Sequence, residues 1–340
     1  MKLALIGCGA IAELGYLPAL ALARSVEAVL LVDRDLSRAQ EMAAQFGIPH
    51  SSRDVADAIK MADAACVALP HHLHEPIGRQ LLEGGVHVLM EKPLAVTKAE
   101  CDSLIVAAEK NERVLSVAMM RRHSPSNMLV KALLTSATIG QVRSFHIESG
   151  SGEIWPTRSP HLLSRHDSGG GVLMSSGCHD LDLVTWLFGP VASVRCFSDS
   201  LDNAEANFTI EMKMESGVEG YLEISRSRTL RNHVVIQAER ATVQFPSLGE
   251  TVKITFLEGT PVTLEGQVEI GAKASDDGNF FSKIMADQLE NFSDAVSGHG
   301  SPMVSGASAR ATIDLIERCY ACAEPMVLPW RRPIAFAKLG

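Results

Sequence analysis

Through about residue 120, short apolar runs alternate with Ala/Leu/Glu-rich stretches whose apolar positions recur at helical spacing. The runs Leu3 to Gly7, Ala28 to Asp33, Ala64 to Leu69, His87 to Met90 and Val114 to Ala118 read as strands. This alternation predicts a parallel sheet covered by helices on both faces. Ligands of such sheets bind beyond the carboxyl ends of the strands, which directs attention to Gly7 to Ala12, Asp33-Arg34, Pro70 to His74, Glu91-Lys92-Pro93 and Met120 to His123. Beyond Pro125 the period changes. Val142 to Glu148 reads as a strand and Gly169 to Gly189 as a helix. Between Val191 and Leu257, Phe208, Ile210, Met212 and Met214 are interleaved with Thr209, Glu211 and Lys213. That period of two predicts an antiparallel sheet with one polar face. Helical patterns over Phe280 to Ser297 and Pro302 to Cys322 follow.

At 340 residues, two domains are expected, and 46% hydrophobic with 21% charged residues supplies enough apolar surface for their cores. No run approaches the length of a membrane span. A formal net charge of -9 argues against a nucleic-acid surface and leaves small molecules as the expected ligands. The seven scattered cysteines suit a reducing compartment, and the cytoplasm is the expected location. Leu5-Ile6-Gly7-Cys8 superficially matches a lipoprotein cleavage site, but too few residues precede Cys8 for a signal segment. Cys319 and Cys322 form a C-x-x-C on a helical pattern, where a three-residue step is expected to turn both thiols toward a core. No second cysteine pair completes a zinc site.

Gly7-Cys8-Gly9-Ala10-Ile11-Ala12 directly follows the first strand, so the chain turns through glycines into a helix start that offers free N–H groups to a pyrophosphate. Asp33 ends the second strand, where a carboxylate accepts bonds from an adenosine ribose; Arg34 beside it would suit a 2′-phosphate. Lys92, restricted by Pro93, projects from the fourth strand toward the nicotinamide end and can stabilise negative charge on a substrate oxygen. Gly169-Gly170-Gly171 precedes a segment in which Ser175, His179 and Asp182 fall on one helical face, and a histidine there can exchange a hydroxyl proton near neutral pH. His71-His72-Leu73-His74 lacks the cysteine partners of a structural metal site, and no metal is expected.

Taken together, these motifs resemble the glucose-fructose oxidoreductase / inositol dehydrogenase (Gfo/Idh/MocA) family over essentially the whole chain. The resemblance implies an α/β fold with an N-terminal Rossmann dinucleotide-binding domain (1–121). It implies a C-terminal α/β domain on a largely antiparallel open sheet (122–340) that binds substrate and mediates a homodimer or homotetramer. It implies Lys92 and His179 as the catalytic pair. The expected cofactor contacts are Gly7, Gly9, Ala10, Ile11, Ala12, Asp33, Arg34, Leu69, Pro70, His71, His74, Glu91, Lys92 and Arg121. The expected substrate contacts are Arg122, Trp155, Arg165, Ser175 and His179.

The function implied is hydride transfer between NAD, with NADP not excluded, and a secondary alcohol or ketone of a sugar, cyclitol or nucleotide sugar. Two positions depart from the family pattern: Ser175 stands where an aspartate is common, and His71 replaces an asparagine. A serine hydroxyl supplies no charge, and Arg158, Arg165 and His161 nearby could instead read an anionic group. Two alternatives remain open at this point: a non-catalytic NAD(P)-binding sensor, and a redox-neutral NAD-dependent lyase or glycosidase.

Overall fold

The computed structural model describes residues 1–136, 138–152, 160–266 and 279–327. Its first sheet contains β1 (Lys2–Ile6), β2 (Glu27–Val32), β3 (His50–Ser52), β4 (Ala64–Val67), β5 (His87–Met90) and β6 (Leu115–Val117). All pairs are parallel, in the order β3-β2-β1-β4-β5-β6. The order reverses between β1 and β4, the place where sheets of this kind bind ligands, in the crevice beyond the strand ends. β1 is buried on both sides: Ala4 and Ile6 face one core, Leu3 and Leu5 the other. β3, made of His50, Ser51 and Ser52, carries no apolar signal, and the sequence pattern does not reveal it.

The second sheet holds β7 (Val142–Gly150), β8 (Val191–Ser198), β9 (Asn207–Met214), β10 (Glu219–Ser225), β11 (His233–Ala238), β12 (Ala241–Pro246), β13 (Thr251–Phe256), β14 (Val262–Glu265) and β15 (Ala323–Pro325). The order is β14-β13-β12-β11-β7-β10-β9-β8-β15. It is mixed rather than wholly antiparallel, because β7 pairs parallel with β10 and β8 with β15. Phe208, Ile210, Met212 and Met214 of β9 are buried, as their alternation requires. Their face shares one core with the first sheet, whereas Lys213, Glu211 and Arg195 lie on the opposite, polar face.

The last two helices return to the N-terminal half. Helix Phe280–Val296 places Met285, Ala286, Leu289 and Phe292 in the core of Leu3, Leu5, Tyr16 and Leu17. Helix Gly306–Cys322 follows a segment in which Val304 O accepts from Val117 N, at the edge of the parallel sheet. The C-x-x-C expectation is corrected: Cys319 is buried but Cys322, at the final turn of that helix, is exposed. Among the described residues no helix is long and apolar enough to cross a membrane.

Candidate functional site

The glycine turn is shaped by contact between β1 and β4. Gly7 has φ +104°, and a Cβ there would lie 2.3 Å from Ala68 O, so neither the conformation nor the space admits another residue. A Cβ on Gly9, in contrast, would meet open space. The helix behind it starts at Ala10 and includes a π-helical turn over Ala12–Tyr16. Its first bond runs from Glu13 N to Gly9 O, so the N–H groups of Ala10, Ile11 and Ala12 have no carbonyl within the helix. An open cradle rimmed by free donors fits a pyrophosphate. Asp33 Oδ2 accepts from Cys8 N at 2.8 Å and Oδ1 from Asp35 N at 2.9 Å, fixing the carboxylate at the ribose end with a lone pair free on each oxygen. Arg34 is exposed beside it. Arg38, which sequence reasoning missed, reaches across from the next helix to Glu13 and, at 3.5 Å, to Cys8 O.

The other end of the crevice is built around Glu91 and Lys92. Glu91 is buried; Oε1 accepts from Tyr16 O–H at 2.7 Å and Oε2 from Lys92 N at 3.0 Å. Burial pushes its carboxyl above the usual value, and the Lys92 charge opposes that shift. The Lys92-Pro93 peptide bond is cis, and Lys92 Nζ donates to Ser175 O at 2.6 Å. Ser175 sits in a π-helical turn, Leu173–Gly177, that leads into helix Cys178–Phe188, so the expected helix over Gly169 to Gly189 begins later and is wider at its start.

Glu205 caps this entry. Its Oε1 accepts from Leu173 N and from Tyr320 O–H, both at 2.9 Å, while its backbone oxygen accepts from Val172 N. His179, on the first turn of the helix, is buried, and its Nδ1 has no partner among the described residues. Burial first, then the Lys92 and Arg121 charges, holds its imidazole well below the ordinary value, so the ring is neutral at pH 7. Arg121 itself pairs with the buried Asp180.

Several expected site residues have other partners. Arg122 is interior: Nε and Nη2 bond Asp182 at 2.8 and 2.6 Å, and Nη2 also reaches Ser308 Oγ at 2.8 Å. It is therefore corrected from a substrate contact to an internal tie, and Asp182 faces Arg122 rather than His179. Arg165 Nη1 donates to Leu201 O at 2.8 Å, with its guanidinium 5.0 Å from the Tyr320 ring centre. His74 is fully buried between Pro93 O at 2.7 Å and Leu69 O at 2.9 Å and bridges the two loops. His71 Nδ1 lies 2.9 Å from Ser168 O, linking the Leu69-Pro70 turn to the second half. Trp155 and Arg158 lie outside the described residues, as does the side chain of His161. Arg226, Glu205 and Tyr320 were missed in the sequence. They come from strand and helix ends far apart in the chain, and no local motif marks them.

Two models of one family match the chain: its oxidoreductase NAD-binding Rossmann fold over residues 1–119, and the GFO/IDH/MocA C-terminal domain over residues 128–244. An uncharacterized oxidoreductase of Synechocystis is 28% identical over 197 residues, 57% of this chain and 53% of that protein. A putative UDP-kanosamine synthase oxidoreductase subunit of Amycolatopsis mediterranei is 30% identical over 215 residues, 61% of this chain and 58% of that one. The chain thus spans little more than half the length of these two relatives. A solved levoglucosan dehydrogenase in complex with NADH and levoglucosan has the same fold, with a TM-score of 0.84 at 20% identity, covering 95% of this chain and 96% of the other.

Proposed function

The chain belongs to the GFO/IDH/MocA oxidoreductase family, and on that premise we propose that it transfers hydride between NAD and a secondary alcohol or ketone carbon of a sugar-like substrate. NAD, when bound, would supply the hydride acceptor; the N–H groups of Ala10 to Ala12 would hold its pyrophosphate and Asp33 its ribose. The charge of Asp33 disfavours a 2′-phosphate, which supports NAD over NADP.

The observation that carries the reading is a neutral His179, its Nδ1 without a partner among the described residues, close enough to the Lys92 charge to feel it. Ser175 O holds Lys92 Nζ one helical turn from the histidine. Lys92 uses one of its three donors on Ser175 and keeps the others for the substrate oxygen, whose negative charge it stabilises as the C–H pair leaves. Neutral His179 accepts the hydroxyl proton during oxidation and returns it during reduction. Glu91, fixed by Tyr16, holds the Lys92 backbone N–H and so sets where the ammonium starts.

The test is the absorbance of reduced nicotinamide when the protein and NAD meet a panel of hexoses, inositols, amino sugars, uronic acids, sugar phosphates and nucleotide sugars. The reading expects turnover with at least one compound and a loss of at least about 100-fold in Lys92→Ala, the scale of one removed charge-stabilising donor. Tight NADH binding with no turnover would favour the sensor alternative; substrate consumption without net NADH would favour the redox-neutral one.

A further inference from the structure

Arg226 directly follows β10, and its backbone N–H donates to Ala206 O, which anchors it at the strand end. Its guanidinium is half-buried. Nη1 donates to Leu162 O at 2.9 Å and Nη2 to Ser175 Oγ at 3.0 Å. The Ser175 hydroxyl gives its own proton to Gly171 O at 2.8 Å, so it meets Arg226 as an acceptor. One residue, Ser175, therefore contacts the Lys92 ammonium through its carbonyl and Arg226 through its side chain. Arg121, Arg122 and Arg228 each pair with a carboxylate, of Asp180, Asp182 and Glu223. Among the described residues Arg226 has no such pair. Glu205 and Asp199 act on it electrostatically; among the described residues Glu205 accepts from Leu173 and Tyr320, and Asp199 from Ala206 and Asn207.

A guanidinium has five N–H donors, and two have these neutral acceptors; a partly desolvated cation left otherwise unpaired is costly unless an anion completes it. We infer that Arg226 is the specificity residue of this site and that the sugar-like substrate carries an oxyanion, a carboxylate or a phosphate, which Arg226 binds through charge-assisted bonds beside Lys92. The inference rests on the reading above and names its substrate class.

The test compares kcat/KM for D-glucuronate and D-glucose 6-phosphate with D-glucose, and for D-galacturonate with D-galactose, in the wild type, Arg226→Gln and Arg226→Lys. NADH binding and far-UV circular dichroism of each variant check the fold. Expected is a preference of at least 10-fold for one acidic series. It is lost in Arg226→Gln through KM more than kcat, and partly kept in Arg226→Lys. Which acid is preferred distinguishes carboxylate from phosphate. Equal use of neutral and acidic sugars, or a preference unchanged in Arg226→Gln, overturns the inference while the dehydrogenase reading stands. If none of these five sugars is turned over, the dehydrogenase reading is decided by the wider panel above, and the inference by calorimetry of D-glucuronate and D-glucose 6-phosphate with the NADH-loaded protein. Binding that glucose does not share and that Arg226→Gln abolishes supports it; no selective binding overturns it.

Discussion

Lys92 and His179 are held by opposite means. Lys92 is tied at both ends, through its N–H to Glu91 and its ammonium to Ser175, while His179 is buried beside cations with its Nδ1 unpaired among the described residues. A depressed histidine has a definite pH signature. In the unfolded chain the ring protonates near its ordinary value of 6.5, whereas in the fold it stays neutral well below that. The unfolded state therefore binds more protons in that window, and the His179 contribution to stability is lost as pH falls below 6.5. The same shift keeps the base available, so the acid limb of kcat/KM for oxidation is expected below pH 6.5. In Lys92→Gln one depressing charge is gone, and the ring titration followed by NMR, assigned with His179→Gln, is expected to move upward; an unchanged titration would contradict the electrostatic account.

Tyr16→Phe removes the donor on Glu91 Oε1 and leaves a buried carboxyl oxygen unsatisfied. The expected cost is about 1–3 kcal/mol in urea unfolding. At this scale the sequence was readable where one residue type does one job at a strand end, as with Asp33 and Lys92. It was misleading for arginines: Arg121, Arg122, Arg165 and Arg226 look alike as letters, and only the partners that the fold delivers separate an interior tie from an open cation.

The elements that carry the site are set by close backbone approaches. A Cβ on Gly171 would lie 2.2 Å from Glu205 N and 2.3 Å from Glu205 O, so Gly171→Ala must displace either the cap or the turn that leads to Ser175 and His179. Gly171→Ala is expected to lower kcat by at least about 10-fold, by misplacing the His179 helix, with NADH affinity within about threefold of the wild type. Equal losses in both would mean that the two halves of the site are not separable in this way. Strands β1, β2, β4, β5 and β6 were legible because each lies in a mainly apolar run, and β9 because its residues alternate. β3 and β15 were not: each is short, polar and defined only by the neighbour it pairs with. The π-helical turn at Leu173–Gly177 has no sequence signal separate from that of the helix it opens.

Across the whole molecule, the two sheets do not stand apart. Arg122 lies just beyond β6, yet it binds Asp182 of the His179 helix, Ser308 of helix Gly306–Cys322 and, at 3.3 Å, Met303 O. A boundary drawn at residue 121 marks where the sequence pattern changes, but the later helices complete the N-terminal core. Arg122→Met leaves the buried Asp182 carboxylate without its partner and is expected to cost about 3–5 kcal/mol. Because this tie joins elements of both halves, tryptophan fluorescence and circular dichroism are expected to follow one coincident unfolding transition; two separated transitions would show that the halves unfold independently.

The central claim is direct hydride transfer in the Lys92–His179 crevice. It is tested most directly by presenting the protein with NADH fully deuterated at nicotinamide C4 together with a panel of keto-sugars, then analysing products by mass spectrometry. The account predicts one deuterium on the new carbinol carbon of the accepted substrate, with the signal abolished in Lys92→Ala. NADH bound by the wild type with no deuterium entering any product, or the same incorporation in Lys92→Ala, would contradict it.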